Sequence, residues 1–303
     1  MTPSPTLSGS SHSVSISSRF NLDSRDIQDA DVLFLTPDQV FFYAHQSVLL
    51  QYSSNYFGGL LVDNTMYEAD EEIDVSQPMS DSDSLLSVEP KLVVVNISSD
   101  ILNVVILSLY QLPIQEFTPS NDTLRAVIPA LRSLGYDPSV IAYPRSELYG
   151  LLLRSAAADP FSMYAAAAQC SFESLAVSVS ALTLRAPLYE ITDELCRQMG
   201  PIYLRRLFFL HLGRADALKR VVLPQPNLHP SESNPRCGPE IQKGIQRAWA
   251  LASAYIIAQN HPGDVNEMVS LLGAPIECTE CTRSLQERIS RLVYDWSAVK
   301  YTI

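Results

Sequence analysis

Apolar positions along this chain fall into short clusters whose spacing alternates between strand and helix. Asp31-Val32-Leu33-Phe34-Leu35 is a run of strand formers, Thr36-Pro37-Asp38-Gln39 carries turn chemistry, and Val40-Phe41-Phe42-Tyr43 is a second run. Together they predict a β-hairpin. His45 then opens a helical stretch with Val48, Leu49 and Tyr52 on one side. Ser53-Ser54-Asn55 predicts the cap of a second helix, in which Tyr56, Phe57, Leu60 and Leu61 recur at helical spacing. Residues 91–96 (KLVVVN) predict a buried strand, and Ser98-Ser99-Asp100 caps a helix carrying Ile101, Val104, Val105 and Leu109 to Tyr110. Pro113 and Pro119 bracket a loop before a helix over 121–133. Three strands with the rest helical predict an α+β unit over 20–140, its core including Val32, Phe34, Val48, Leu49, Phe57, Val93, Val95 and Val105.

Beyond that unit the pattern is helical throughout, so the fold class is α+β followed by an all-α extension. Residues 141–222 read as a run of short helices in which Leu148, Leu151, Leu152 and Ser155 begin the series. Ala165 to Ala168 permit close packing, and Pro160, Pro187 and Pro201 sit near helix starts. Five prolines between 223 and 240 mark a linker, which leads into the last helical region of 223–303. There Leu285, Ile289, Leu292, Val293 and Trp296 form an amphipathic stripe.

Composition changes this picture in two places. The first 18 residues hold eight serines and no charged side chain, so residues 1–19 are expected to be a disordered tail. Residues 62–90 hold nine acids and no Lys or Arg, which predicts a solvated, self-repelling insertion or a docking loop. Those nine acids account for most of a net charge of -12, from 33 acids against 21 bases. That balance argues against nucleic-acid or anionic-membrane binding, which needs a basic face. No stretch approaches 18 uninterrupted apolar residues, no secretory leader is evident, and five cysteines are a sparse, odd count. Cytoplasm or nucleus is the expected location.

Several of these residues fall in a recognisable order. Asp31-Val32 and Phe34, then Phe42-Tyr43-Ala44-His45 with Val48-Leu49, then Ser53, Tyr56-Phe57 and Leu60, and finally Tyr110, follow the pattern D-V-x-F, F-x-A-H-K-x-V-L, S-x-Y-F-x-x-L and a helix ending in Tyr. In this the chain resembles the BTB/POZ domain. The continuation, Tyr110-Gln111-Leu112-Pro113 and later Asp159-Pro160-Phe161, resembles a branch of that family expanded in fungi, of basidiomycete type. The resemblance implies a protein–protein interaction module that self-associates, through its first helix and strand (here 20–51), or recruits partners. Two branches are open, an adaptor for a cullin-type ubiquitin ligase and a nuclear scaffold. The family usually carries Lys or Arg after the His; Gln46 stands there, so Asp31 lacks the base that completes the family's charged pocket.

Candidate chemistry is confined to the C-terminal region. Cys278-Thr279-Glu280-Cys281 directs two thiols to one point, as tetrahedral zinc requires, with Cys237 as a third ligand and His229 or His211 as a fourth. Three readings are open: a zinc site, two free thiols at a helix start, or a redox pair. The alternative function is accordingly a zinc-dependent or thiol-redox protein. His45 reads as structural, bonding backbone where strand meets helix. No phosphate loop, nucleophile elbow or dinucleotide fingerprint occurs, so no enzymatic activity and no organic cofactor are expected.

Overall fold

A computed structural model describes residues 14–62, 90–230, 237–259 and 276–303. The acidic insertion and residues 1–13, whose expected mobility bears on this, lie outside those residues. The chain divides into two compact units, 1–175 and 176–303, and the division falls inside the segment expected to be one helical extension.

The first unit holds a four-stranded sheet in the order β1-β3-β2-β4. Strands β2 (Val32–Leu35) and β3 (Val40–Ala44) form the expected antiparallel hairpin. Its turn closes because Thr36 pairs with Val40 through both backbone and hydroxyl, while Gln39 takes a left-handed φ of 62°. Strand β4 (Lys91–Val94) runs parallel to β2 at one edge. The opposite edge corrects the expected tail: Ser15–Ile16 form β1, parallel to β3, within the stretch read as disordered through residue 19. The Val14-Ser15-Ile16-Ser17 alternation is a strand pattern that serine-rich composition conceals.

Among the described residues, α1 (Gln46–Leu50) follows the hairpin, and α2 (Ser99–Leu109) and α3 (Asn121–Ser133) come after β4. The short α4 (Pro138–Ile141) leads to α5 (Glu147–Ala156), α6 (Pro160–Gln169) and α7 (Glu173–Thr183), which crosses into the second unit. Helix α6 is apolar all round, with Phe161 and Met163 through Ala168 buried, and its alanines let α3 and α5 approach closely. Helices α5 and α6 therefore share a unit with the sheet. Of the expected core, Val32, Phe34, Leu49, Phe57, Val93, Val95 and Val105 are buried and Val48 is only half-buried.

No helix forms after Ser53. Tyr56, Phe57, Gly58 and Gly59 all take positive φ, between 55° and 79°, and wind a left-handed turn. The polar cluster read as a helix cap instead clamps the end of α3: Ser53 Oγ donates to the Leu134 carbonyl (2.8 Å), Ser54 Oγ to Gly135 (2.8 Å) and Asn55 Nδ2 to Ser133 (3.0 Å). This turn seats Phe57 against Phe34, ring centroids 5.0 Å apart, and edge-on to Tyr136 at 6.2 Å.

The second unit is a small helical bundle. Helix α8 (Asp193–Val222) is broken at Gly200, whose φ of 68° and ψ of 170° precede Pro201. It packs with α9 (Pro239–Gln259) and α10 (Thr279–Ser297) around Leu218, Val222, Trp249, Ala252, Ile256, Leu285 and Leu292. Val293, expected in the α10 stripe, is 42% exposed, whereas Ile289 and Trp296 pack on this core. The end of α8 is capped from its neighbours. Trp249 Nε1 donates to the Val222 carbonyl (3.1 Å), and Arg288, stacked over the Trp249 ring, donates to the carbonyls of Val221 and Pro224. Among the described residues no helix is long and apolar enough to cross a membrane.

Candidate metal centre

His229, Cys237, Cys278 and Cys281 place their ligand atoms within 4.8 Å of one another. Three segments bring them together. His229 lies in the loop after α8, Cys237 just before α9, and Cys278 is the N-cap of α10 with Cys281 in its first turn. One helical turn separates the last two, so the C-x-x-C spacing directs both sulfurs to the same side. Cys237 Sγ is 3.6 Å from Cys281 Sγ, and His229 Nε2 is 3.2 Å from Cys278 Sγ. A tetrahedral ion with metal–sulfur bonds of about 2.3 Å and a metal–nitrogen bond of about 2.0 Å sets its ligands roughly 3.5–3.8 Å apart, between the shortest of these spacings and the 4.8 Å that bounds the set.

The donor set fits a metal in a further respect. His229 Nδ1 donates to the Pro230 carbonyl at 2.8 Å, which fixes the ring orientation and turns Nε2 to the sulfurs. Metal-bound histidines are held in this way. The His229 carbonyl in turn accepts from Gln242 Nε2 at 2.9 Å, tying the loop to α9. All three cysteines are buried, and Ile245, Leu228 and Ile276 close around them.

The electrostatics favour one thiolate at a time in the absence of a cation. The Cys281 backbone N–H, with help from His229 and the other sulfurs, draws the Cys278 thiol down to about 6. Burial and the neighbouring sulfurs push Cys281 up to about 12. A divalent cation would relieve that conflict by stabilising all three thiolates together. His211, the other histidine considered as a ligand, lies elsewhere: its Nε2 meets Thr183 Oγ1 at 3.1 Å, and burial lowers its pKa to about 4.

The positions that carry the family resemblance form a second constellation, in the first unit. His45 Nε2 donates to the Gln28 carbonyl (2.8 Å), so Nδ1 is the acceptor of the hydrogen bond that the Tyr110 hydroxyl donates at 2.9 Å. The same hydroxyl oxygen accepts the His45 backbone N–H at 2.8 Å. Burial pushes Tyr110 up to about 12, so it stays protonated as this network needs. Asp31 accepts the Gln46 N–H at 2.7 Å and caps α1, and among the described residues its carboxylate has no ion-pair partner. Val32, Phe34, Phe42, Ala44, Leu49 and Phe57 are buried beneath; Ser53 and Leu60 are half-buried and Tyr56 is 61% exposed. Sequence reasoning missed the caps on α2. Ser98 makes no side-chain cap there, and Asp38 from the hairpin turn accepts the Ser99 N–H (3.0 Å) and hydroxyl. No protein-family model, curated protein or solved structure matches this chain.

Proposed function

We propose that this chain is a protein-interaction module that catalyses no reaction, with a BTB/POZ-like first unit and a second unit folded around one structural zinc ion. The observation that carries the zinc reading is the Cys3His set. Four protein ligands close a tetrahedron and leave no position for a substrate, which is the arrangement of structural rather than catalytic zinc. The cluster where α8, α9 and α10 meet has seven buried residues among those described, and small cores commonly need such a staple. When bound, the ion supplies a cross-link among the loop after α8, the start of α9 and the start of α10. Enclosure by apolar side chains, with a third sulfur and an imidazole beside the pair, speaks for a ligand set over a redox pair, whose low-pKa thiolate must also be accessible.

Elemental analysis of the purified full chain tests this: about one zinc per chain is expected, and Cys281→Ser should lose it together with much of the helical signal of the second unit. Stoichiometric absence of metal, with the helices intact, would end the reading.

The interaction reading is supported by the His45–Tyr110–Gln28 network, which joins residues of the resembling pattern that are far apart in sequence. Adaptor and scaffold are separated by affinity capture from extract. Recovery of a cullin indicates the adaptor, recovery of nuclear proteins without a cullin indicates the scaffold, and a chain that recovers no partner and does not self-associate contradicts both.

A further inference from the structure

The sheet of the first unit has two apolar faces, and the helices cover only one. Val32, Phe34, Phe42, Ala44 and Val93 point inward and are buried. The strand register places the alternate residues on the other side in two rows: Ile16, Phe41, Leu35 and Val94, then Tyr43, Leu33 and Leu92. Ile16 is 57%, Leu92 56% and Val94 66% exposed, and Val14, two residues before Ile16, is 53% exposed. A sheet covered on one side ordinarily alternates apolar inward with polar outward. Here all four strands present apolar side chains outward, the Tyr43 hydroxyl being the single polar group in either row. Residues 91–96, expected as a buried strand, are thus an edge strand with one side open.

We propose that this outer sheet face is the surface on which a second copy of the chain docks, sheet against sheet across a two-fold axis. Three observations select a second copy. The two rows carry no charge on a chain of net charge -12, so two like-charged copies can meet there with little repulsion. Its area suits a reversible dimer. The four most exposed side chains offer roughly 80–100 Å² each, and with the half-buried Leu33, Leu35, Phe41 and Tyr43 the face reaches about 500 Å², or about 1,000 Å² for the pair, at the lower bound for specific association. The two undescribed segments that adjoin the sheet in sequence suit it less well: residues 1–13 have Met1 and Leu7 as their large apolar side chains, and residues 63–89 set nine acids among their apolar residues. This inference rests on strand register and burial, so it stands apart from the family resemblance, and its surface includes β1 and β4 rather than the 20–51 segment alone.

Sedimentation of the full chain from about 1 to 100 μM is the test. The wild type should pass from monomer to dimer across that range. Leu92→Lys with Val94→Lys should remain monomeric throughout while keeping the wild-type circular dichroism and melting temperature, since both side chains point to solvent. Phe209→Lys, at a 68% exposed position on α8, should dimerise as the wild type does. A monomeric wild type, or a double variant that dimerises equally well, overturns the proposal. So does a wild type whose dye-binding apolar face appears only after residues 63–89 are deleted, because the chain itself would then be the occupant.

Discussion

Gly135 shows how little freedom a single position in this fold has. It ends α3 with a φ of +85°, and a Cβ there would lie 2.1 Å from Asn55 Oδ1 and 2.8 Å from the Asn55 backbone nitrogen. Both the left-handed backbone and the close approach demand glycine. Gly135→Ala should therefore cost about 2–5 kcal/mol, combining backbone strain with overpacking. Gly58→Ala is the comparison: its φ is +70°, but its nearest contact would be an ordinary 3.4 Å, so a loss of about 1 kcal/mol is expected. Denaturant unfolding of the two variants measures the difference, and equal losses would show that the Asn55 clamp yields. Nothing in the sequence marks this role for Gly135, because Asn55 lies 80 positions away. The candidate metal ligands are the opposite case. Cys278, Cys281, Cys237 and His229 were legible because one turn of helix forces the first two together and few other ligands exist; the choice of His229 over His211 needed the fold.

At the scale of elements, the hairpin, α2, α3 and α10 were legible because their apolar periodicity is unbroken and their turn and cap residues agree with it. The failures have local causes. Tyr56, Phe57, Leu60 and Leu61 fit helical spacing, yet Gly58-Gly59 sits in their midst, and the left-handed turn it permits buries Phe57 and Leu61 just as well. The all-apolar run of β4 predicts a buried strand because it looks the same whether one face or two is covered. The Asp38 cap was invisible because it crosses from a turn to a helix 61 residues away. Burial works to raise the Asp38 pKa, and the hydrogen bonds from Ser99 and Thr36 outweigh it and hold it below its ordinary value. Its support for α2 is thus present above about pH 4 and is lost as pH falls through the lowered value.

For the whole molecule, the larger pH effect belongs to the second unit. His211 has a folded-state pKa of about 4, below its ordinary 6.5, because burial penalises the charged ring. A depressed value means that stability is complete above about pH 6.5 and falls away as pH drops toward 4. For a fully enclosed ring this would amount to roughly 3 kcal/mol, and screening at a partly open one reduces it to about 1–2 kcal/mol. Melting temperatures of wild type and His211→Gln between pH 7 and 4.5 should converge on acidification, the wild type losing more. Parallel curves would assign the acid sensitivity elsewhere, to the cysteine and histidine ligands first.

The short strand β1 has a consequence for the chain's solubility. Its backbone occupies the outer edge of β3, with the Ser15 N–H bonded to the Gln39 carbonyl and the Ser17 N–H to the Phe41 carbonyl. The segment it shields, Val40-Phe41-Phe42-Tyr43-Ala44, is strongly β-prone, uncharged and free of proline and glycine, the composition of amyloid-forming segments. A few residues of an otherwise serine-rich stretch thus act as a guard strand. A chain shortened to begin at residue 20 would leave that edge unpaired, and its failure would take the form of fibrils rather than of a lowered melting point.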